Sequence, residues 1–324
     1  MNEPIIQVNH LKKYFKTGRG LLHAVDDVTF SIAKGETIGV VGESGCGKST
    51  LGRTILRLNE PTAGQILYQG RDLVTLSGNE LKKVRPKMQM IFQDPYSSLN
   101  GRMNVRQLIA EPLIVNKVCR SRREMDERID RIMETVGLAS RLDMAYPHEL
   151  DGGRRQRIGI ARTLVLEPEF VVCDEPVSAL DVSIQAQILN LLMDLQEEMG
   201  LTYLFITHDL SVVRHISRRI MVMYLGKCVE IADSHRIFET PLHPYTKALL
   251  AAIPIPSIES LHKHRDLLQG EVTSPVDPKP GCRFAARCPH ATPSCLQSDI
   301  PMTEPEPGHF VSCALYQAGN GSLA

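Results

Sequence analysis

The sequence predicts an α/β fold in which buried strands alternate with amphipathic helices, and two observations carry this prediction. The first is a glycine-rich run at residues 42–50, GESGCGKST, which lies between an apolar stretch at residues 37–41 and a helical pattern at residues 51–58. The second is another apolar run, at residues 170–173, which ends in two acidic residues. Short apolar runs followed by helical patterns are typical of a sheet with helices packed on its faces.

The first part of the chain contains short apolar or alternating runs bounded by turn residues, and these predict strands. They are residues 5–8, 28–32, 37–41, 65–68 and 88–92. Residues 101–142 have helical periodicity, with Ile129 and Met133 on one face and Gly137 as a stop. Further strands are predicted at residues 170–173, 203–206 and 220–224. An amphipathic helix that ends at Gly200 lies between the first two of these.

The glycine-rich run is predicted to bind the phosphates of a nucleotide. Glycines let backbone N–H groups curl around a phosphate, and the N-terminus of the following helix adds positive potential. At this spacing Lys48 is expected to reach the β- and γ-phosphates, and Ser49 is expected to coordinate Mg²⁺. The predicted nucleotide contacts of the loop are Gly42, Ser44, Gly45, Cys46, Gly47, Lys48, Ser49 and Thr50.

The acidic pair is predicted to supply the chemistry next to that loop. Asp174 and Glu175 end a buried strand, and ligands of open α/β sheets lie at the carboxyl ends of the strands. Asp174 suits Mg²⁺, whereas Glu175 is placed to polarise a water that attacks the γ-phosphate. Gln93 and His208 also follow predicted strands, so each is a candidate for the same crevice.

Residues 150–156, LDGGRRQ, place Gly152 and Gly153 directly before a helical run at residues 156–166. A helix that begins in this way can bind an anion. Taken alone, the segment is better explained as a simple loop-to-helix joint with basic flanks.

The composition excludes several classes of protein. The 324 residues contain 37 Lys and Arg against 37 Asp and Glu, so no overall basic charge favours nucleic acid. No apolar run approaches the length of a membrane-spanning helix, and the first ten residues lack the apolar stretch of a signal peptide. The chain is therefore expected in the cytoplasm, and at a membrane only as a peripheral subunit.

The amino-acid composition changes near residue 240, after which prolines become frequent. We therefore predict a domain at residues 1–240 and an extension at residues 241–324. The extension holds a C-x5-C-x6-C-x17-C pattern formed by Cys282, Cys288, Cys295 and Cys313. Four thiolates suit zinc or an iron–sulfur cluster, and the absence of C-x2-C pairs disfavours zinc. Four unrelated reduced thiols are the alternative. The remaining cysteines are predicted to be packing residues; they are Cys46, Cys119, Cys173 and Cys228.

The ordered set of motifs resembles the nucleotide-binding subunit of an ABC transporter. The elements are the loop at 42–49, Gln93, the Gly-Gly segment at 150–154, the acids at 174–175, residues 178–181 (SALD) and His208. The resemblance implies a P-loop NTPase fold of the ABC type, with a RecA-like core, an antiparallel β subdomain, a helical subdomain at about residues 95–165 and the Cys-rich C-terminal extension. It also implies ATP as the nucleotide, with Mg²⁺.

Roles follow from the resemblance residue by residue. Gln93 resembles the Q-loop residue that senses Mg²⁺ and the membrane partner, and His208 resembles the switch histidine that contacts the γ-phosphate. Phe15, or its neighbour Tyr14, is similar to the aromatic that stacks on adenine, with Val25 beside it. In this family two domains pair head to tail and enclose two ATP molecules, each between one P-loop and the other subunit's signature.

The signature departs from the usual Leu-Ser-Gly-Gly-Gln, because Asp151 and Arg154 occupy its second and fifth places. An aspartate would repel the γ-phosphate by roughly 4 kcal/mol at 4 Å and an effective dielectric of 20, before screening. One hypothesis is that the ATP site completed by this signature is weaker or that Asp151 points away. The other is that Asp151 and Arg154 are a neutral paired variation.

Residues 243–250, HPYTKALL, resemble the His-Pro-Tyr segment of oligopeptide, dipeptide and nickel uptake ATPases, and the chain is most similar to the second, F-type ATPase of the peptide systems. The resemblance implies a different second ATPase, two integral membrane permease subunits, an extracellular binding protein and a [4Fe–4S] cluster on the four cysteines. It places the chain on the cytoplasmic face of the bacterial membrane. A nickel or metal-chelate importer is the alternative, and a soluble ATPase acting on nucleic acid is disfavoured.

Overall fold

The computed structural model describes residues 4–94, 98–252 and 273–317. The strands, in chain order, are β1 (Pro4–Thr17), β2 (Gly20–Ala33), β3 (Thr37–Val41), β4 (Ala63–Tyr68), β5 (Arg71–Asp72), β6 (Met88–Ile91), β7 (Phe170–Asp174), β8 (Thr202–Ile206), β9 (Arg219–Tyr224), β10 (Lys227–Asp233), β11 (Thr303–Glu306) and β12 (His309–Val311). Within the described ranges, no helix has the length and apolar character that a bilayer crossing requires.

The α-helices cover most of the segments between these strands. In chain order they are α1 (Lys48–Ile55), α2 (Gly78–Val84), α3 (Val105–Val115), α4 (Arg122–Thr135), α5 (Gly152–Leu164), α6 (Val182–Met199), α7 (Leu210–Ile216), α8 (Ser234–Glu239) and α9 (Pro244–Ala251). The backbone divides into two compact units. The first unit is residues 1–5, 32–37 and 75–206, and the second is residues 6–31, 38–74 and 207–324.

The first unit contains a parallel sheet in the order β8–β7–β6. Its register places Met88 opposite Phe170 and Asp174 opposite Ile206. Every residue of β7 and β8 is buried, which explains why these strands are continuous apolar runs rather than alternating ones. Because the strands are parallel, their carboxyl ends share one edge, and Asp174 lies at that edge.

The helical part of the first unit is formed by α3, α4 and α5, which pack against one another. The predicted helical stretch at 101–142 is two helices, because Asn116 ends α3 and Ser121 begins α4 as its N-cap. Arg106 on α3 binds the first turns of α4 through Asp126 at 2.8 Å. The predicted stops are confirmed, since Gly137 and Gly200 both adopt the left-handed conformation just after a helix.

The second unit contains strands in the order β11–β12–β10–β9–β3. β3 and β9 are parallel, with Ile38 opposite Arg219, whereas β10 and β12 are antiparallel to their neighbours. A second sheet in the order β2–β1–β4–β5 contains the predicted strands at 5–8, 28–32 and 65–68. The sequence does not predict the hairpin β11–β12, because β11 is short, polar and mostly exposed and β12 is only three residues long.

The core of the second unit includes residues from both sides of the predicted boundary at residue 240. Tyr224, Tyr245 and Phe284 are almost fully buried in one cluster with Val41 and Val222. Their rings are in tilted or edge-on contact, with centroids 4.6–5.4 Å apart. The division of the chain at residue 240 stays a prediction, but the side chains on its two sides share one apolar core.

A buried polar cluster around Glu230 joins Leu242, His243 and His309 to β10. Glu230 is fully buried, pairs with His309 Nε2 at 2.7 Å and accepts the backbone N–H groups of Leu242 and His243. Burial alone would raise the pKa of Glu230, but these donors outweigh it and lower that pKa. His243 in turn caps α9, because its Nδ1 accepts the N–H of Tyr245 at 3.0 Å.

His243 makes the stability of this region depend on pH. Burial lowers the pKa of His243 to about 4, against an opposing effect of Glu230. The unfolded chain therefore takes up a proton near pH 6.5, whereas the folded protein stays neutral until about pH 4, so stability falls as the pH drops through this window. We expect His243→Asn, which keeps a cap acceptor without titrating, to reduce this loss by about 2 kcal/mol between pH 7.5 and 4.5.

The measurement is the free energy of unfolding in urea at several pH values for wild type and His243→Asn. The matched control is His235→Asn, which alters an exposed histidine paired with Glu239. Parallel curves for wild type and His243→Asn across this range would contradict the assignment.

Candidate nucleotide-binding site

The glycine-rich loop joins β3 to α1 within the second unit, and its path requires glycine. Gly42 has φ +152°, and a Cβ there would lie 2.2 Å from the carbonyl oxygen of Met223. Gly47 has φ +106°, and its Cβ would lie 2.0 Å from the carbonyl oxygen of Ala24. Since both obstacles are backbone atoms, no side-chain rearrangement relieves them. The loop is thus held against the neighbouring backbone while Ser44 and Gly45 are exposed at its tip.

Lys48, the first residue of α1, is buried beneath this loop. Its Nζ donates to the carbonyl oxygens of Gly42 at 2.8 Å and Glu43 at 3.0 Å. The ammonium group is therefore located under the turn that the loop makes. Burial raises the pKa of the Cys46 thiol, so Cys46 is a neutral packing group in the middle of the loop. Ser49 and Thr50 are half-buried in the first turn of α1.

The predicted acids and Gln93 lie together in the first unit. Asp174 is the last residue of β7 and is fully buried. Glu175 has φ +48°, an uncommon conformation for a non-glycine residue that is often found at functional sites. Its N–H donates to the carbonyl oxygen of Ile206, and its carboxylate accepts from Gln93 Nε2 at 2.9 Å. The structure thus brings Gln93 and Glu175 into direct contact.

The Gly-Gly segment begins α5, and Asp151 is its N-cap. The Asp151 carboxylate accepts the N–H of Arg154 at 2.8 Å and lies 3.4 Å from the Arg154 guanidinium. The carboxylate therefore occupies its own helix start and is paired with Arg154. Gly153 packs tightly on α6, since a Cβ there would lie 2.8 Å from Ile184 Cγ2.

The remaining predicted contacts lie in the second unit with the loop. His208 is exposed just beyond β8, before Asp209 caps α7. Phe15 is half-buried with Lys13 Nζ 4.6 Å from its ring centre, and Val25 is fully buried.

Tyr14 belongs to a polar cluster that sequence reasoning missed. Its ring stacks on His23 with centroids 3.8 Å apart, and its hydroxyl donates to Asp26. Arg283 also donates to Asp26, and burial of this carboxyl is outweighed by these donors, which lower its pKa. The Tyr14 ring is engaged inside the protein, which favours Phe15 over Tyr14 as the residue that faces a nucleotide base. No local pattern in the sequence connects Asp26 with Arg283.

The four cysteines of the C-terminal extension all line one small pocket, together with His243 and His290. Burial raises the pKa of Cys282, Cys288 and Cys313, the last to about 11, and the neighbouring thiols act in the same direction. The four cysteines therefore lie close together in the folded chain. No set of three His, Cys, Asp or Glu side chains in the described parts of the chain is arranged to hold one metal ion.

Comparison with solved structures identifies the class of protein that this fold and loop define. The dimeric ATP-binding cassette MJ0796, solved in a post-hydrolysis state with ADP and Pi, matches with a TM-score of 0.65 and 30% identity over 71% of this chain and 98% of that one. A model of the ABC transporter family matches residues 25–178. The fold is that of an ABC ATPase, an ATP-binding and ATP-hydrolysing domain.

Comparison with related sequences assigns the chain to a narrower family within the ABC ATPases. A model of the oligopeptide/dipeptide transporter C-terminal region matches residues 229–295. The putative oligopeptide transport ATP-binding protein YkfD of Bacillus subtilis is 54% identical over 97% of this chain and 96% of the relative, and the oligopeptide transport ATP-binding protein AppF of the same organism is 51% identical over 97% and 98%. The chain belongs to the family of ABC transporter ATP-binding proteins with this oligopeptide/dipeptide C-terminal region.

Proposed function

We propose that the chain is the ATP-hydrolysing subunit that powers import of di- or oligopeptides through a membrane ABC transporter. The observation that carries the proposal is the combination, in one chain, of the phosphate loop with its buried Lys48, the Gln93–Glu175 pair and the C-terminal region at residues 229–295. The relatives reported above are named for oligopeptide transport, which favours peptides over nickel or a metal chelate.

Within this proposal the loop binds ATP and the acids act on its terminal phosphate. Lys48 neutralises the β- and γ-phosphates, and the loop N–H groups contact them. Phe15 stacks on the adenine with Val25 beside it. His208 contacts the γ-phosphate, and Glu175 polarises the attacking water while Gln93 orients the Glu175 carboxylate through its 2.9 Å hydrogen bond.

Oxygen donors are available for the Mg²⁺ that accompanies ATP. Asp174 presents a fully buried carboxylate at the end of a parallel strand, and Ser49 presents a hydroxyl in the first turn of α1. Gln93 adds an amide oxygen. Magnesium prefers such hard oxygen ligands and retains several waters, so these residues fit the ion. It would supply charge neutralisation of the phosphates.

The membrane partners are expected to contact the first unit near Gln93. A groove of about 710 Å³ lies there, with Phe92, Val115, Glu111 and Arg162 among its lining residues. Phe92 and Val115 are exposed, although both are large and apolar. We propose that a cytoplasmic segment of a permease subunit occupies this groove. The full assembly would contain two permeases, a second and different ATPase, and an extracellular binding protein, with this chain on the cytoplasmic membrane face and no nucleic acid bound.

The four clustered cysteines are proposed to hold a [4Fe–4S] cluster. A cluster takes one thiolate on each iron, so its ligands need not converge on a single point as they must for one zinc ion. The described residues offer four thiols around one pocket but no preformed single-ion site. Metal ligation requires thiolates, and it would cross-link the extension.

The catalytic assignment is tested with Lys48→Ala and Glu175→Gln in the assembled transporter. Glu175→Gln is expected to lower the ATPase rate by about 10²–10⁴-fold while ATP binding persists, because only the base is removed. Lys48→Ala is expected to weaken ATP binding itself. The control is Glu197→Gln, an exposed position on α6. ATP titration and steady-state hydrolysis separate these effects.

Uptake of labelled peptide into proteoliposomes should stop in both variants and persist in the control. Accumulation of nickel with no peptide uptake would show that the substrate is nickel and not a peptide. Full hydrolysis by Glu175→Gln would remove this residue from the catalytic role.

The signature aspartate is tested by Asp151→Ser. Serine also caps a helix, so stability should change by less than about 1 kcal/mol. Removal of a carboxylate near the phosphate is expected to lower the Kd for ATP at the site completed by this signature. The expected decrease is on the order of tenfold once Arg154 and solvent screening are included. Asp233→Ser is a control, since Asp233 is the N-cap of α8 and accepts the N–H of His235. Equal ATP affinity and ATPase rate in wild type and Asp151→Ser would support the neutral Asp–Arg pair instead.

The cluster is tested by anaerobic purification followed by iron and acid-labile sulfide analysis. We expect a coloured protein, with iron lost in Cys295→Ser and retained in Cys228→Ser, whose thiol is buried elsewhere on β10. A colourless, iron-free wild-type protein would contradict the proposal. Bound zinc in its place would favour the alternative metal.

A further inference from the structure

Glu43, the second residue of the phosphate loop, has all three of its polar groups held by other residues. Its N–H donates to the hydroxyl oxygen of Tyr245 at 3.0 Å. Its carbonyl oxygen accepts from Lys48 Nζ at 3.0 Å, and its carboxylate oxygens accept from Arg287 at 3.0 and 3.3 Å. Two of these three partners, Tyr245 and Arg287, come from the C-terminal region of the chain.

Arg287 is itself held rigidly. Only 7% of its side chain is exposed, against 28% for Glu43. Its guanidinium lies 6.0 Å from the ring centres of both Tyr224 and Phe284 and donates to the Tyr224 hydroxyl at 3.3 Å. Its own N–H donates to the carbonyl oxygen of Phe284, which closes a short turn. The guanidinium is therefore preorganised to bind the Glu43 carboxylate. A charge-assisted hydrogen bond of this kind is stronger than a neutral one.

Tyr245 holds the backbone of the same residue. It is fully buried, and burial raises its pKa, so its hydroxyl stays protonated. Its ring packs on Tyr224, the last residue of β9, with centroids 4.6 Å apart. β9 is the parallel neighbour of β3, the strand that leads into the loop. Tyr245 is thus supported by the strand next to the one that leads into the loop with Glu43.

These contacts fix the first turn of the loop. The Glu43 N–H is bound to the Tyr245 hydroxyl, so it is a structural anchor, and the Cys46 N–H closes the turn by donating to the Glu43 carbonyl oxygen at 3.2 Å. The Glu43 carbonyl that receives Lys48 Nζ belongs to the same anchored residue. A loop that is already ordered loses less conformational entropy when a ligand binds, and this raises affinity without any direct contact.

We propose that Arg287 and Tyr245 are positioning residues for the phosphate-binding loop, so that the C-terminal region is a working part of the ATP site. They are expected to act on ATP affinity and to leave the hydrolytic step unchanged, because the groups they hold are the N–H and the carboxylate of Glu43 in the phosphate loop. Arg287 lies in the segment between Cys282 and Cys288. Because Arg287 binds Glu43, a displacement of this segment would be transmitted to the loop. This role is separate from metal binding by the cysteines and does not depend on it.

The test uses the full-length chain in the assembled transporter, with two variants that remove single groups. Tyr245→Phe deletes one hydroxyl and keeps the packed ring, and Glu43→Gln removes the charge that Arg287 binds. We expect the ATP Kd to rise about threefold in Tyr245→Phe and about tenfold in Glu43→Gln, which correspond to one neutral and one charge-assisted hydrogen bond. The kcat at saturating ATP should stay within about twofold of wild type.

A double-mutant comparison identifies the pairing. Arg287→Ala and Glu43→Gln should each raise the Kd for ATP. The Kd of the double variant should not exceed the higher of the two single-variant values, because both substitutions remove the same interaction. Arg236→Ala is the control, since this arginine forms a comparable pair with Glu306 on the surface of the same unit. A Kd unchanged in both Glu43→Gln and Tyr245→Phe overturns the proposal. Fully additive losses, or a loss confined to kcat, also overturn it.

Discussion

The close approach of the phosphate loop to neighbouring backbone is the constraint on which the nucleotide site depends. At Gly42 and Gly47 the space for a side chain is filled by carbonyl oxygens of Met223 and Ala24. The backbone N–H of Gly226 adds a hydrogen bond to the carbonyl oxygen of Cys46 at 2.7 Å. Because these partners belong to the strands of the second unit or the turns beside them, the loop has the shape that the sheet imposes on it. Phosphate binding by backbone N–H groups needs such a fixed shape.

Two buried carboxylates attach the C-terminal segments of the chain to the sheet. Glu230 and Asp26 are buried carboxylates, and each is surrounded by donors from segments far apart in sequence. An unpaired buried carboxylate is costly, so each acid is retained only because its partners arrive with the fold. The consequence is structural: the His-Pro-Tyr helix, the segment 282–288 and the hairpin β11–β12 are bound to the sheet that carries the loop.

The catalytic groups are ordered by a different principle. Asp174 and Glu175 lie at the carboxyl end of β7, a fully buried strand of the parallel sheet, which is the edge where such sheets bind ligands. The positive φ of Glu175 and its hydrogen bond from Gln93 define the direction of that carboxylate. Local strain of this kind persists only where the surrounding structure holds it, and here the Glu175 N–H is bound to the end of β8.

The local features could be predicted from the amino-acid sequence: the glycine-rich loop between a strand and a helix, the acids at residues 174–175, and the helix stops at Gly137 and Gly200. Each depends on neighbours in sequence, where periodicity and glycine or acidic residues carry the physical information. Three further features could be seen only in the folded protein: Asp151 caps its own helix, the four cysteines line one pocket, and Arg287 binds Glu43. Such contacts join residues that only the folded sheet brings together, and Glu43 and Arg287 are 244 positions apart. Charge pairing across that separation leaves no periodic trace in the sequence.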